Sequence, residues 1–181
     1  MRTRRKIFLS LCGAAILTGC AYRIHVYGKE PLPVPPVPVE RQAQPDTSGV
    51  FRLLARFNPK GAEGLTALVY KASERFDIAP QIIAGLICTE SSAHPEARNK
   101  GCLGLGQVHW AVWGKELKAR GIALKASDLH DPHRGLTASV MVLRHYLDQA
   151  GSIREALKRY SGGAGKWYAD RVLRYAGEAG L

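Results

Sequence analysis

From about residue 50 onward, apolar side chains recur at intervals of three and four, and that spacing limits the chain to helices packed on helices. Leu65, Leu68, Val69, Ala72 and Phe76 form one such stripe, and Ile82, Ile83, Leu86 and Ile87 form a second that opens at Pro80 after the break Asp77-Ile78-Ala79. Proline is tolerated there because the first turn of a helix has no hydrogen-bond partner for its N–H. A third stripe, Leu136, Val140, Leu143 and Leu147, follows Asp131-Pro132, a cap and first-turn signal. Further helices are expected over 108–120, 153–160 and 165–175. Residues 92–106 are rich in Gly, Ser and Asn without an apolar period, so a loop is expected there. No period-two alternation of useful length occurs. The expectation is a single, mainly α-helical domain over 51–181, with an α+β variant as the allowed alternative.

The segments before it read differently. Arg2, Arg4, Arg5 and Lys6 precede a short apolar run from Ile7 to Leu17, the arrangement of an export signal over 1–19. It ends in Leu17-Thr18-Gly19-Cys20, which resembles a bacterial lipobox and would make Cys20 a lipidated N-terminus. Six of the ten prolines lie between positions 31 and 45, so residues 20–50 read as a linker. The run 29–44 favours polyproline II, which at about 3.1 Å per residue would reach roughly 50 Å.

Loss of the signal would leave 22 basic residues against 15 acidic ones. Such a surface suits nucleic acid, anionic lipid or an acidic polymer. An exported, lipid-anchored chain meets the last two, so nucleic acid is not expected as a partner. In an oxidising compartment Cys88 and Cys102 can form a disulfide or remain as two buried thiols. His130 and His133 beside Asp131 suggest a metal at first sight, but Pro132 and the helix start account for that segment, and no metal or cofactor is expected. The glycines at 101, 104 and 106 and at 162, 163 and 165 follow no predicted strand and read as turns. Lys115, Lys118, Arg120 and Lys125 read as a solvated face.

Glu90 stands out because Ile83, Leu86 and Ile87 share its helix face, so a core stripe ends in a carboxylate. Partial burial and the negative end of the helix dipole should both raise its pKa and suit it to act as an acid near neutral pH. An exposed glutamate at a fraying helix end is the plain alternative.

The stretch from Ile78 to Ser91, ending in Glu90-Ser91, resembles the Glu-Ser helix of the SLT-type lytic transglycosylases, which share a goose-lysozyme-like fold. Gly101-Cys102-Leu103-Gly104-Leu105-Gly106-Gln107 resembles that family's Gly-Ala-x-Gly-Leu-Met-Gln segment, and Tyr160-Ser161-Gly162-Gly163 its Tyr-Asn-Ala-Gly segment. Asp131-Pro132 and Tyr168-x-x-x-Val172 match further elements in family order, over roughly residues 63–176. The chain departs from the pattern at Asn99, where Ser is common, at Gly106 for Met, at Ser161 for Asn, and in a loop one residue shorter before Gln107. The missing Met should widen or loosen the floor of a sugar subsite.

The resemblance implies cleavage of the β-1,4 bond between N-acetylmuramic acid and N-acetylglucosamine in peptidoglycan, leaving a 1,6-anhydro end. Glu90 would serve as acid and then base, with Asn99, Gln107, Tyr160 and Tyr168 as sugar contacts and Ser91 either contacting sugar or capping helix-end carbonyls. One carboxyl group suffices for an intramolecular attack, and Glu96 is read as a solvated loop residue. A hydrolytic lysozyme of the same fold, or a glycan-binding scaffold lipoprotein with weak turnover, are the alternatives. The expected location is the cell envelope, on the periplasmic side of an outer membrane, with glycan strands and envelope assembly machinery as partners.

Overall fold

The computed structural model describes residues 48–181. The stretch 1–19 read as an export signal, Cys20 and the Pro-rich run lie outside the described residues. Among the described residues the protein is mainly α, in the lysozyme-like manner expected. Its helices are α1 (Ser48–Phe57), α2 (Ala62–Phe76), α3 (Pro80–Ser91), α4 (Trp110–Ala119), α5 (Pro132–Ala150), α6 (Ile153–Tyr160) and α7 (Lys166–Glu178), with a 3-10 helix over Ala126–His130. Helix α1 begins three residues inside the stretch read as linker, because Val50, Leu53 and Leu54 already bury one helical face.

Helix α3 is the centre of the main core. Every residue from Ile82 to Cys88 is buried, so it is covered on all sides, whereas α1 and α2 bury a single stripe each. Its contact with α7 is close because position 85 is glycine: a Cβ there would lie 2.5 Å from the carbonyl oxygen of Val172. The two helix backbones therefore approach to a distance that a methyl group would forbid.

Helix α5 starts as its sequence predicts, with Pro132 in the first turn and the Asp131 carboxylate accepting from the Arg134 N–H at 2.8 Å. The run from Gly135 to Leu143 is buried all round, more than one stripe requires. Leu136, Val140 and Leu143 face the main core, while Ala138, Met141 and Val142 face a second cluster with Val108, Leu117, Ile122, Ala123 and Leu129. Helix α5 is thus the wall shared by both clusters.

The segment expected to be a plain loop carries two strands of a small antiparallel sheet, β1 (Arg98–Asn99) and β2 (Cys102–Leu103), and the start of the next expected helix supplies the third, β3 (Val108–His109), in the order β1-β2-β3. Asn99 pairs with Cys102, so Lys100 and Gly101 form a two-residue turn with φ of 45° and 87°. Positive φ at both central positions is the tight hairpin geometry that follows strand twist. Val108 and His109 are used as strand, so α4 starts at Trp110, two residues later than the apolar pattern suggested.

Candidate active site

The end of α3, the small sheet, the end of α6 and the start of α7 enclose a cleft of about 510 Å³. Thr89, Glu90 and Ser91 enter it from α3, Asn99 and Cys102 from the sheet, Tyr160 from α6, and Trp167, Tyr168 and Arg171 from α7. Glu90 is the only acid lining it among the described residues.

Glu90 is half-buried, and the Tyr168 hydroxyl donates a hydrogen bond to its Oε1. Burial pushes the carboxyl pKa from 4.5 up to about 7, against the opposing pull of the Tyr168 hydrogen bond, which favours the ionised form. The expected rise is present, and its cause is desolvation. Burial likewise raises the Tyr168 hydroxyl pKa, as does the nearby Glu90, so the phenol stays protonated and remains a donor. The Gly85 contact brings these two side chains together by seating α7 directly on α3.

The other predicted contacts divide into two groups. Asn99 is exposed on the cleft wall and free to meet a ligand. Gln107 has a φ of 49° and spends both amide protons on the loop, donating from Nε2 to the carbonyls of Ala97 at 3.1 Å and Gly104 at 2.9 Å. Its amide oxygen remains available to the cleft. Ser91 and Tyr160 turn their hydroxyls to backbone carbonyls, Ser91 partly in the capping role expected as its alternative. The buried Ser91 hydroxyl lies 2.7 Å from the Leu105 carbonyl and 3.0 Å from that of Ile87, so it ties α3 to the loop and has no proton left for sugar. The Tyr160 hydroxyl donates to the Gly106 carbonyl at 2.7 Å, which leaves its ring as the part that lines the cleft.

Gly106 corrects a second expectation. The missing side chain leaves no hole, because a Cβ at this position would lie 2.2 Å from Ser139 Oγ and 2.7 Å from the Tyr160 oxygen. Buried Ser139, on α5, fills the space and bonds to the Gly135 carbonyl at 2.7 Å. The floor is packed from below. At the third departure, Ser161 accepts from the Ala164 N–H at 3.1 Å and donates to the Lys158 carbonyl at 2.7 Å, fixing the turn between α6 and α7.

Of the two alternatives for the cysteines, the structure has both free, Cys88 buried and Cys102 half-buried. Cys88 and Glu90 are two residues apart on one helix, about 200° around its axis. Cys88 accordingly sits in the core with Arg56 and Glu178 as its charged neighbours, its thiol pushed up to about 12 by burial, while Cys102 lines the cleft with Glu90 as its charged neighbour. Glu96 is exposed, outside the cleft, 3.8 Å from His130 Nδ1, and that nitrogen also lies 3.1 Å from the Pro95 carbonyl oxygen. Among the described residues no group of His, Cys, Asp and Glu could hold a metal ion. On α4, Lys118 lies over the Trp110 ring, and Arg120, just past its end, pairs with Glu116.

Sequence reasoning missed Trp167, Arg98 and Arg171. An exposed Trp beside Tyr168, with Arg171 one helical turn further on, was the available signal for two of them.

No solved structure matches the chain. A protein named "Transglycosylase" from Enterobacteria phage PRD1 is 30% identical over 93 residues, which cover 51% of this chain and 32% of that protein, so the match spans about a third of the relative's length. The Transglycosylase SLT domain family matches residues 67–179, a span that holds Glu90, the small sheet, Tyr160 and Tyr168. The chain belongs to the Transglycosylase SLT domain family.

Proposed function

We propose that this protein is a peptidoglycan lytic transglycosylase that cleaves between N-acetylmuramic acid and N-acetylglucosamine and leaves a 1,6-anhydromuramoyl end. The observation that carries the reading is the one carboxyl group that the described residues bring to the cleft, Glu90, held half-buried under the Tyr168 hydroxyl with a pKa of about 7. Such a group is substantially protonated at neutral pH and still gives up its proton readily. Glu90 protonates the bridging oxygen as the bond from C1 of the muramoyl residue breaks. The resulting carboxylate, favoured by the Tyr168 hydrogen bond, takes the proton of the muramoyl 6-hydroxyl as that oxygen bonds to C1. Glu90 ends the cycle protonated and no water is consumed. A hydrolase acting through two carboxylates would need a second acid at the cleft. The Gln107 oxygen and the Asn99 side chain supply dipoles toward the sugar as positive charge develops on its ring.

Purified protein and its Glu90→Gln variant, incubated with sacculi, test the reading by mass spectrometry of the released fragments. Anhydro products from the wild type and none from the variant are expected. Products one water heavier would make the protein a hydrolase, and equal release by both proteins would remove Glu90 from the reaction. The Leu17–Cys20 segment and the Pro-rich run support a further reading, that the domain works tethered by lipid at Cys20 on the periplasmic side of an outer membrane. Labelling with a radioactive fatty acid that Cys20→Ala abolishes would support the lipid anchor.

A further inference from the structure

Of the eleven arginines among the described residues six pair with carboxylates, Arg56 and Arg174 with Glu178, Arg120 with Glu116, Arg134 with Asp128, Arg144 with Asp148 and Arg154 with Asp170, and Arg52, Arg75 and Arg159 lie outside the cleft without one. The other two line the cleft. Arg98 on β1 and Arg171 on α7 are exposed, and among the described residues neither has a carboxylate partner. Arg171 lies over the Trp167 ring, 5.1 Å from its centroid, and Trp167 meets the Tyr168 ring edge-on at 6.0 Å. That indole is 55% exposed. Stacking on the indole orders the Arg171 guanidinium before any ligand arrives.

Neither guanidinium acts on the acid. The position of Glu90 on the pKa scale follows from its burial and its Tyr168 bond, with no cation contributing. A guanidinium close to Glu90 would hold it ionised and spoil it as a proton donor. Two unpaired cations that share the cleft with Glu90 and leave its charge alone are therefore available to the ligand. A neutral polysaccharide has no group to match them, whereas a carboxylate fits the planar fork of arginine.

We infer that Arg98 and Arg171, with Trp167 as the apolar face on which the sugar ring packs, read a carboxylate carried on the lactyl arm of a muramoyl residue. This rests on the peptidoglycan reading above. The carboxylate is either that of the lactyl group, where the peptide has been removed, or one on the stem peptide.

The test is co-sedimentation in a Glu90→Gln background, so that the polymer is not consumed, using intact sacculi and sacculi whose carboxyl groups have been converted to carboxamides. Loss of charge-assisted hydrogen bonds should weaken binding to the amidated polymer about tenfold. Adding Arg98→Gln and Arg171→Gln should bring the ratio to within about twofold, while adding Lys60→Gln and Lys71→Gln, which remove the same charge outside the cleft, should leave it unchanged. The inference is overturned if the arginine variant still discriminates, or if the lysine variant loses discrimination equally, since bulk charge then explains the effect. Sacculi stripped of peptides by an amidase, which frees the lactyl carboxylates that intact sacculi hold as amides, separate the sources: binding stronger than to intact sacculi assigns the lactyl carboxylate, and weaker binding assigns the stem. Wild-type turnover decides the reaction, whereas this binding ratio decides the carboxylate reader, so the two can fail separately.

Discussion

Replacing Tyr168 by Phe removes one hydroxyl and keeps the buried ring, which isolates the one polar contact that opposes desolvation at Glu90. A hydrogen bond to a charged group contributes about 1.5–3 kcal/mol, and 1.36 kcal/mol corresponds to one pKa unit, so the loss amounts to roughly 1–2 units. The cleft is open enough for water to replace part of the bond, which favours the lower end, about 1 unit. The sign follows from which form the bond favours. Tyr168 stabilises the carboxylate, so its removal should move the Glu90 pKa upward from about 7. If Glu90 must start protonated, the alkaline limb of the rate profile shifts to higher pH by the same amount. Carbon-detected NMR titration of labelled glutamate, with the pH profile of fragment release from sacculi, measures both. Tyr160→Phe is the control, because its hydroxyl serves the Gly106 carbonyl, and it should leave the limb in place. An unmoved or lowered Glu90 pKa in Tyr168→Phe would refute the argument that this hydrogen bond sets the acid.

Glu90→Gln should also change stability in a pH-dependent way. With a folded pKa near 7 above the ordinary 4.5, the native carboxyl holds its proton through that interval, so stability present below pH 4.5 is lost as pH rises through 7. The variant should therefore gain up to about 3 kcal/mol over wild type at pH 8 and little at pH 4, read by chemical denaturation. Gly106→Ala should destabilise by about 1–3 kcal/mol through overpacking, and Ser139→Gly in the same chain should recover part of that, because the clash is with Ser139. Thermal melts should separate two glycines that propensity treats alike. Gly64→Ala, with nothing within 4 Å of the new methyl, gains about 1 kcal/mol, whereas Gly85→Ala loses stability and weakens the Glu90–Tyr168 contact by forcing α7 off α3.

Periodicity and caps made the helices legible. The stripes on α2, α3 and α5 and the Asp131-Pro132 start are local properties, set by backbone hydrogen bonding and by which side chains must leave water. Glu90 was legible for the same reason, as the carboxylate that ends a core stripe. The hairpin was less so, since its strands are two residues long and too short for alternation to appear; the Asn99-Lys100-Gly101 turn was the only local hint. Ser91 and Tyr160 could not be read as loop anchors, because their partners at Leu105 and Gly106 lie 14 and 54 positions away.

By itself, the sequence determined the α-helical class and the helix boundaries to within a few residues, since both follow from neighbours within two turns of one another, and it singled out Glu90 as the candidate acid. Tertiary structure decided that Tyr168 meets Glu90, that Ser139 fills the place left by Gly106, that the two thiols lie on opposite sides of α3, and that Arg98 shares a cleft with Arg171. Each of these is a distance between residues far apart in the chain. Such distances depend on how closely α7 can settle on α3 and how α5 fills the space beneath the loop, which is a matter of packed volume and not of local spacing.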